Sequence, residues 1–431
     1  MSYACPRCGQ VNQQWGPCTT CLNPAPDDII APALRPRRAT RAVVALALVV
    51  MLLLTGGLGS VFALVRASGD NGRSSADRLE TTGPDRSAEA LASDLRTVVA
   101  ELSRFVESAR GLEFLEEIDV VLLDDEEFKG RLLEEAEFDP DELELTAKVL
   151  GALALLEGDV DLGDALEELL GAAVAGFYDP ETGDLVVRGA DPSPAVRITL
   201  VHELTHALQD QHFELHRPEL DDVDDETGQA FDGLVEGDAE RVADLYRDSL
   251  TAAERKEAER EQAVQAAGLS RSTAIPPVLI EILTFPYVVG PSFVDATVDA
   301  GRLDDAFTDP PTTSEHLFHP ESYLAGEGAA DVTPPQAEGD IIDEGVLGEL
   351  GLLLMLRRAV PAELAFRAAD GWGGDWYVAW DDGEVTCVRA AIAADSPTDA
   401  SELHEALTLW AADHANAAVT AADTVDFTAC A

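Results

Sequence analysis

From Ala42 to Val65 the chain runs 24 residues without a charged side chain, and this stretch divides everything before it from everything after. As a helix it would be about 36 Å long, enough to cross a bilayer core of about 30 Å. A cleaved leader is the competing reading, but its apolar stretch normally covers about 7–15 residues close to the N-terminus. Here 41 residues come first. Arg35, Arg37, Arg38 and Arg41 stand just before the stretch, while Arg66 and Arg73 follow it with Asp70 between them. Basic residues favour the cytoplasmic side of a span. We therefore expect a single-pass cell-membrane protein with its N-terminus in the cytoplasm and residues 66–431 outside.

Residues 1–24 carry Cys5-x2-Cys8 and Cys18-x2-Cys21, four of the six cysteines. Paired CxxC knuckles offer four thiolates at the spacing of a tetrahedral zinc site. Two disulfides or a redox pair are the alternatives. A segment this small has no core of its own, so a structural zinc accounts best for its folding. The segment resembles a minimal zinc ribbon, whose partner the sequence does not name. A Pro- and Arg-rich linker (25–41) joins it to the span (42–65), and a polar tether (66–87) follows. Residues 88–431 would form the outer domain. There Cys387 and Cys430 are the only cysteines, and an oxidising exterior permits a bridge between them as readily as two separate thiols.

Charge narrows the partners. Against 29 Lys+Arg stand 82 Asp+Glu, a net charge of −53. Residues 1–66 carry six Arg and two acids, which leaves −57 on the remainder. So much negative charge repels nucleic acid, and none is expected as a partner. The acids are spread along the chain, as in a protein adapted to salt, rather than gathered in a tail.

Periodicity in the outer domain predicts mostly helices. Leu91, Leu95, Val98, Val99, Leu102 and Val106 mark one face of a first helix. A strand at Ile118, helices near 125–136, 140–157 and 161–174, and a hairpin turning on Asp-Pro-Glu-Thr-Gly follow. Pro194 would open the next helix at its first position. A long charged helix over 229–263, helices near 276–300 and 343–358, strands flanking Asp381-Asp382-Gly383, a helix near 398–415 and a short last strand complete the chain. The expected fold class is α+β, mainly helical, with a small sheet beside the helix that Pro194 opens.

That helix carries HELTHALQDQHF from His202. Residues four apart share a helix face, so His202 and His206 offer two imidazoles to one ion. Glu203, one step round, is placed to act as general base toward a water there. His202, His206, His212 and His216 are half of the eight histidines, within 15 residues.

Two candidates compete for the third ligand. His212 has the spacing of HExxHxxGxxH, but Gln209 stands where that pattern needs glycine. If the helix continues, His212 lies about 15 Å along the axis from His202. A methionine turn is also missing, since Met355 is the only methionine after the span. The better candidate is Glu236 in GLVEGDAE, with Glu240 four residues on to orient a ligand histidine. Asp232 and Asp238 are weaker alternatives.

Together these features resemble the gluzincin clan of zinc metallopeptidases, the thermolysin-like group. The longer string HELTHALQDQHF is similar to one in membrane-anchored bacterial and archaeal zincin-like proteins. PTTSEHLFHPESYLAGE (311–327) and AADGWGGDWYV (368–378) resemble further segments of that group. The resemblance implies a zincin-like fold and hydrolysis of peptide bonds in a peptide or protein substrate. It also implies a catalytic zinc, distinct from the structural zinc of the ribbon. One departure is that the carboxylate supporting a ligand histidine is Asp in thermolysin and would be Glu240 here. His319 is the candidate donor to the developing oxyanion, and GWGGDW (371–376) reads as a turn entering a strand. The rival expectation is a non-catalytic zincin-like scaffold or sensor at the membrane.

Overall fold

The computed structural model describes residues 3–4, 11–12 and 88–431, apart from 136–138, 159, 174–175, 181, 189–191, 218–219, 221–224, 270–274, 384 and 415. The ribbon cysteines, the 42–65 span and the tether lie outside the described residues. Two short strands, β1 (Tyr3–Ala4) and β2 (Val11–Asn12), pair antiparallel.

Helices dominate the rest, with two further sheets, so the chain is mixed α+β. The first helix, α1 (Ala88–Arg110), buries Leu95, Val99, Leu102 and Val106, the expected face. Next come β3 (Asp119–Leu123), α2 (Asp125–Glu135), α3 (Pro140–Ala152), α4 (Leu162–Ala173), and the hairpin β4 (Gly176–Asp179) and β5 (Asp184–Arg188). In the hairpin turn Asp179 accepts from Thr182 N and Oγ1, and Gly183 takes φ 75°. β5 sits in the middle of this sheet, parallel to β3 and antiparallel to β4.

The helix α5 (Pro194–Phe213) carries HELTH. Ser193 caps it, accepting from Val196 N, and Pro194 occupies the first turn. Every residue from Ile198 to Gln209 is buried, so α5 lacks the polar face of a surface helix. Its Leu204 and Leu208 join a core with α1 and with Val242 of α6 (Asp225–Ser249). Leu234 of α6 belongs to a second, larger core with Phe293, Trp372 and Trp410. HELTH therefore lies where the two cores meet.

The single long helix expected over 229–263 is two helices. Thr251 opens α7 (Ala252–Leu269) with a capping box. Its backbone and hydroxyl donate to Glu254 Oε2, and Glu254 N donates back to the hydroxyl.

Next is α8 (Pro277–Asp299), long and apolar enough to cross a membrane by length and composition. Much of it is buried within the protein, and it packs along α6. The two backbones touch. A Cβ on Gly237 would lie 2.4 Å from the Gly290 carbonyl carbon, and one on Gly290 would lie 2.1 Å from Gly233 O. Only glycine permits that approach.

Three short helices follow, α9 (Leu303–Thr308), α10 (Ser314–Phe318) and α11 (Pro320–Ala325). The expected helix from 343 is instead β6 (Ile341–Gly345) and then α12 (Gly348–Ala359), and α13 (Ala362–Asp370) comes after it. β7 (Trp372–Asp382), β8 (Val385–Ala394), α14 (Pro397–Ala412), β9 (Ala418–Ala421) and β10 (Val425–Cys430) complete a five-stranded antiparallel sheet of order β6-β7-β8-β10-β9. Cys387 and Cys430 are paired in register across β8 and β10, and their sulfurs are bonded.

Candidate metal centre

One helical turn separates His202 from His206, and their Nε2 atoms approach to 2.7 Å. From the facing helix α6, Glu236 brings Oε2 to 3.0 Å from His202 Nε2 and 3.2 Å from His206 Nε2. All three side chains are buried. Bonds of about 2.0–2.1 Å to a tetrahedral ion place ligand atoms about 3.3 Å apart. The triangle is close to that size, and the group could hold a metal ion.

The three donors are electrostatically coupled. Burial, reinforced by His206, pulls His202 down to about 3. Burial alone would lower His206 as well, but Glu236 outweighs it and raises that imidazole to about 9. Burial works against the charge on Glu236, yet the two imidazoles hold its carboxyl down to about 2.

Glu203 is fully buried beside them. Its Oε2 accepts from Tyr178 N on β4 at 3.0 Å, so the hairpin fixes one carboxylate oxygen. Its Oε1 has no hydrogen-bond partner. Burial, with the charge of Glu236 adding to it, pushes this carboxyl up to about 8. Tyr178 is held in turn, its hydroxyl donating to Asp210 at 2.8 Å.

The outer nitrogens of the two imidazoles have different supports. His202 Nδ1 lies 4.0 Å from Glu240 Oε2, and both atoms are buried and unpartnered. The other oxygen of Glu240 sits 3.5 Å from Arg247 Nη2. His206 Nδ1 donates to Gln209 Oε1 at 2.9 Å. Gln209 Nε2 donates to Val235 O and Asp238 Oδ2, each at 3.0 Å, and Asp238 pairs with Arg110. Gln209, which replaces the glycine of a three-histidine pattern, thus orients His206 and ties α5 to α6.

Tyr287 of α8 is the residue the sequence did not flag. Its hydroxyl is hydrogen-bonded to Glu236, and its ring centroid lies 6.3 Å from that of His202. Pro286 before it and Gly290 after it are its signals in the sequence. Gly290 sets the helix spacing that brings Tyr287 to α6.

Other candidates lie elsewhere. α5 continues past Gln209, and His212 Nε2 donates to Glu113 O at 2.9 Å, outside the metal group. Asp232 is buried on α6 but is not one of the three converging donors. His319, the expected oxyanion donor, has its Nε2 3.3 Å from Glu349 and 3.4 Å from Asp370. Pro320 explains this placement, since it ends α10 at His319 and starts α11 there, against the N-terminus of α12. The GWGGDW segment is the start of β7. Its Asp375 accepts from Leu347 N and Gly348 N at 2.8 Å, fixing the start of α12.

A family model described as a domain of unknown function (DUF8575) matches residues 336–429. Those residues hold β6 to β9, β10 up to Ala429, and α12 to α14, and leave out HELTH and Glu236. No curated protein and no solved structure matches the chain.

Proposed function

We propose that the chain is a membrane-anchored zinc-dependent metallopeptidase. Its outer domain would be zincin-like and of the gluzincin type, with His202, His206 and Glu236 as zinc ligands. The observation that carries the reading is the unpartnered, fully buried Glu203 Oε1 beside those three converging donors. A lone buried carboxylate oxygen is costly unless something occupies the space it faces. Two imidazoles and one carboxylate are an N/O set that suits zinc with a coordination position left open.

Zinc bound there would supply Lewis acidity and ease the ionisation of water. Glu203, held through Oε2 by Tyr178 N, would use Oε1 to take a proton from the attacking water and return one to the departing amine. Tyr287 has a hydroxyl beside Glu236 that can turn to the carbonyl oxygen as negative charge develops there. Glu240 and Gln209 would keep the two imidazoles in register. The reading includes a structural zinc on Cys5, Cys8, Cys18 and Cys21, a single span over 42–65 and an outward catalytic domain. Peptides or proteins outside the cell would be the substrates.

The test is cleavage of a diverse peptide library by the purified full chain, mapped by mass spectrometry with and without chelator. Wild-type protein should cleave, and Glu203→Gln should lose about 10²–10⁴-fold in rate while keeping its metal. Wild-type protein that binds zinc at His202 and His206 yet cleaves nothing would favour the scaffold instead.

A further inference from the structure

We propose that His319, Glu349 and Asp370 form a second cation site, suited to a transition-type divalent ion such as zinc. The site would clamp α12 and α13 to the α10–α11 junction. This inference stands apart from the peptidase reading and does not depend on it.

His319 Nε2 lies 3.3 Å from each oxygen of Glu349 and 3.4 Å from Asp370 Oδ1. The alternative is a protonated imidazole bridging two carboxylates. His319 Nε2 has one N–H, which bonds to Glu349 Oε1 at 3.3 Å and cannot also point at the other two oxygens. The observed separations instead match the edge of about 3.3 Å expected between ligands of one small ion. Glu349 supplies a second observation. It is 4% exposed, and its Oε2 has no hydrogen-bond partner although it faces the cluster.

Charge points the same way. Glu315, Glu327, Asp370 and Asp395 act on Glu349 or on one another around this point, and His319 offers them at most one positive charge. A divalent ion would relieve that repulsion. The imidazole argues against calcium or magnesium, which take oxygen ligands, and for zinc or a similar ion. Asp370 is 67% exposed in its side chain, so solvent can reach the site and fill remaining positions.

The three donors come from three places. His319 sits at the α10–α11 junction, Glu349 in the first turn of α12, and Asp370 at the end of α13. The start of α12 is pinned by Asp375 and by Leu350 N donating to Ser314 Oγ, so Glu349 is held in place before any ion arrives.

The experiment strips the full chain with chelator, adds Zn²⁺ alone, desalts, and counts zinc per chain. His319→Gln with Glu349→Gln should lose one zinc relative to the parent. His202→Ala with His206→Ala should lose a different one, and the combination should lose two. Parental zinc content in the His319/Glu349 variant would overturn the proposal, whereas a deficit confined to the His202/His206 variant would support only the first site. A second measurement uses the unaltered chain, so that misfolding of a variant cannot decide the matter. Zinc should protect His319 several-fold from diethyl pyrocarbonate, read in its peptide by mass spectrometry, and equal labelling with zinc and with chelator would overturn the site.

Discussion

The metal centre depends on how each polar atom is held. Tyr287 tests this most directly, because in the proposed reaction it would touch the reacting atoms without being a ligand. Tyr287→Phe should lower kcat by about 10²–10³-fold with zinc content unchanged, measured on a peptide that the wild type cleaves. An unchanged rate would reduce Tyr287 to a packing residue. His316 permits a pH prediction away from the metal donors. Its Nδ1 accepts from Thr312 N and its Nε2 donates to Glu327 O, and burial lowers its pKa, so it is neutral in the fold. A lowered folded pKa means that its stabilising contribution is complete above about 6.5 and is lost as pH falls below that value. The melting temperature of the wild type should therefore fall more steeply from pH 7.5 to 5.5 than that of His316→Gln. Parallel profiles would refute this.

At the scale of elements, the close approach of Gly233 and Gly237 on α6 to Gly290 on α8 sets how near Tyr287 comes to Glu236. A methyl group on Gly237 has only the Gly290 backbone to push against. Gly237→Ala should cost about 1–3 kcal/mol or more by overpacking and should weaken zinc binding, read by denaturation and by metal content. Stability and zinc content both equal to wild type would show that the helices can part without consequence. The same contact explains what could be read in advance. His202 and His206 were legible because helical spacing puts them on one face, and Glu236 because GLVEGDAE sets it four residues before Glu240 on the next helix. Tyr287 and the support given by Gln209 were not, since both depend on how two helices seat against each other, which spacing within one helix cannot reveal. The break at Thr251 was legible in principle, as Thr-x-x-Glu is a capping signal, but the surrounding charged run masked it. β6 was hidden because Ile341–Gly345 is five residues with two acids among them, too short to show a strand's alternation. The Glu349 and Asp370 neighbours of His319 were not legible, because a His-Pro pair fixes a helix junction without saying which residues face it.

The charge of −57 after residue 66 belongs to the whole molecule. Like charges on one compact body repel until salt screens them, over about 10 Å at 0.1 M and 3 Å at 1 M. The unfolding midpoint should rise between low and molar salt, and a midpoint that stays level or falls would argue against salt adaptation. One buried carboxylate bears on the molecule at the same scale. Glu226 lies in the first turns of α6, ten residues ahead of Glu236, and it accepts from both N and Oγ of Ser314, the residue that opens α10. Ser314 Oγ in turn accepts from Leu350 N, next to Glu349. Glu226 and Glu236 are thus two points on one rigid rod about 15 Å apart. One end is set against the histidines of HELTH and the other against the segments that present His319 and Glu349. The two sites therefore hang on one helix although they share no ligand.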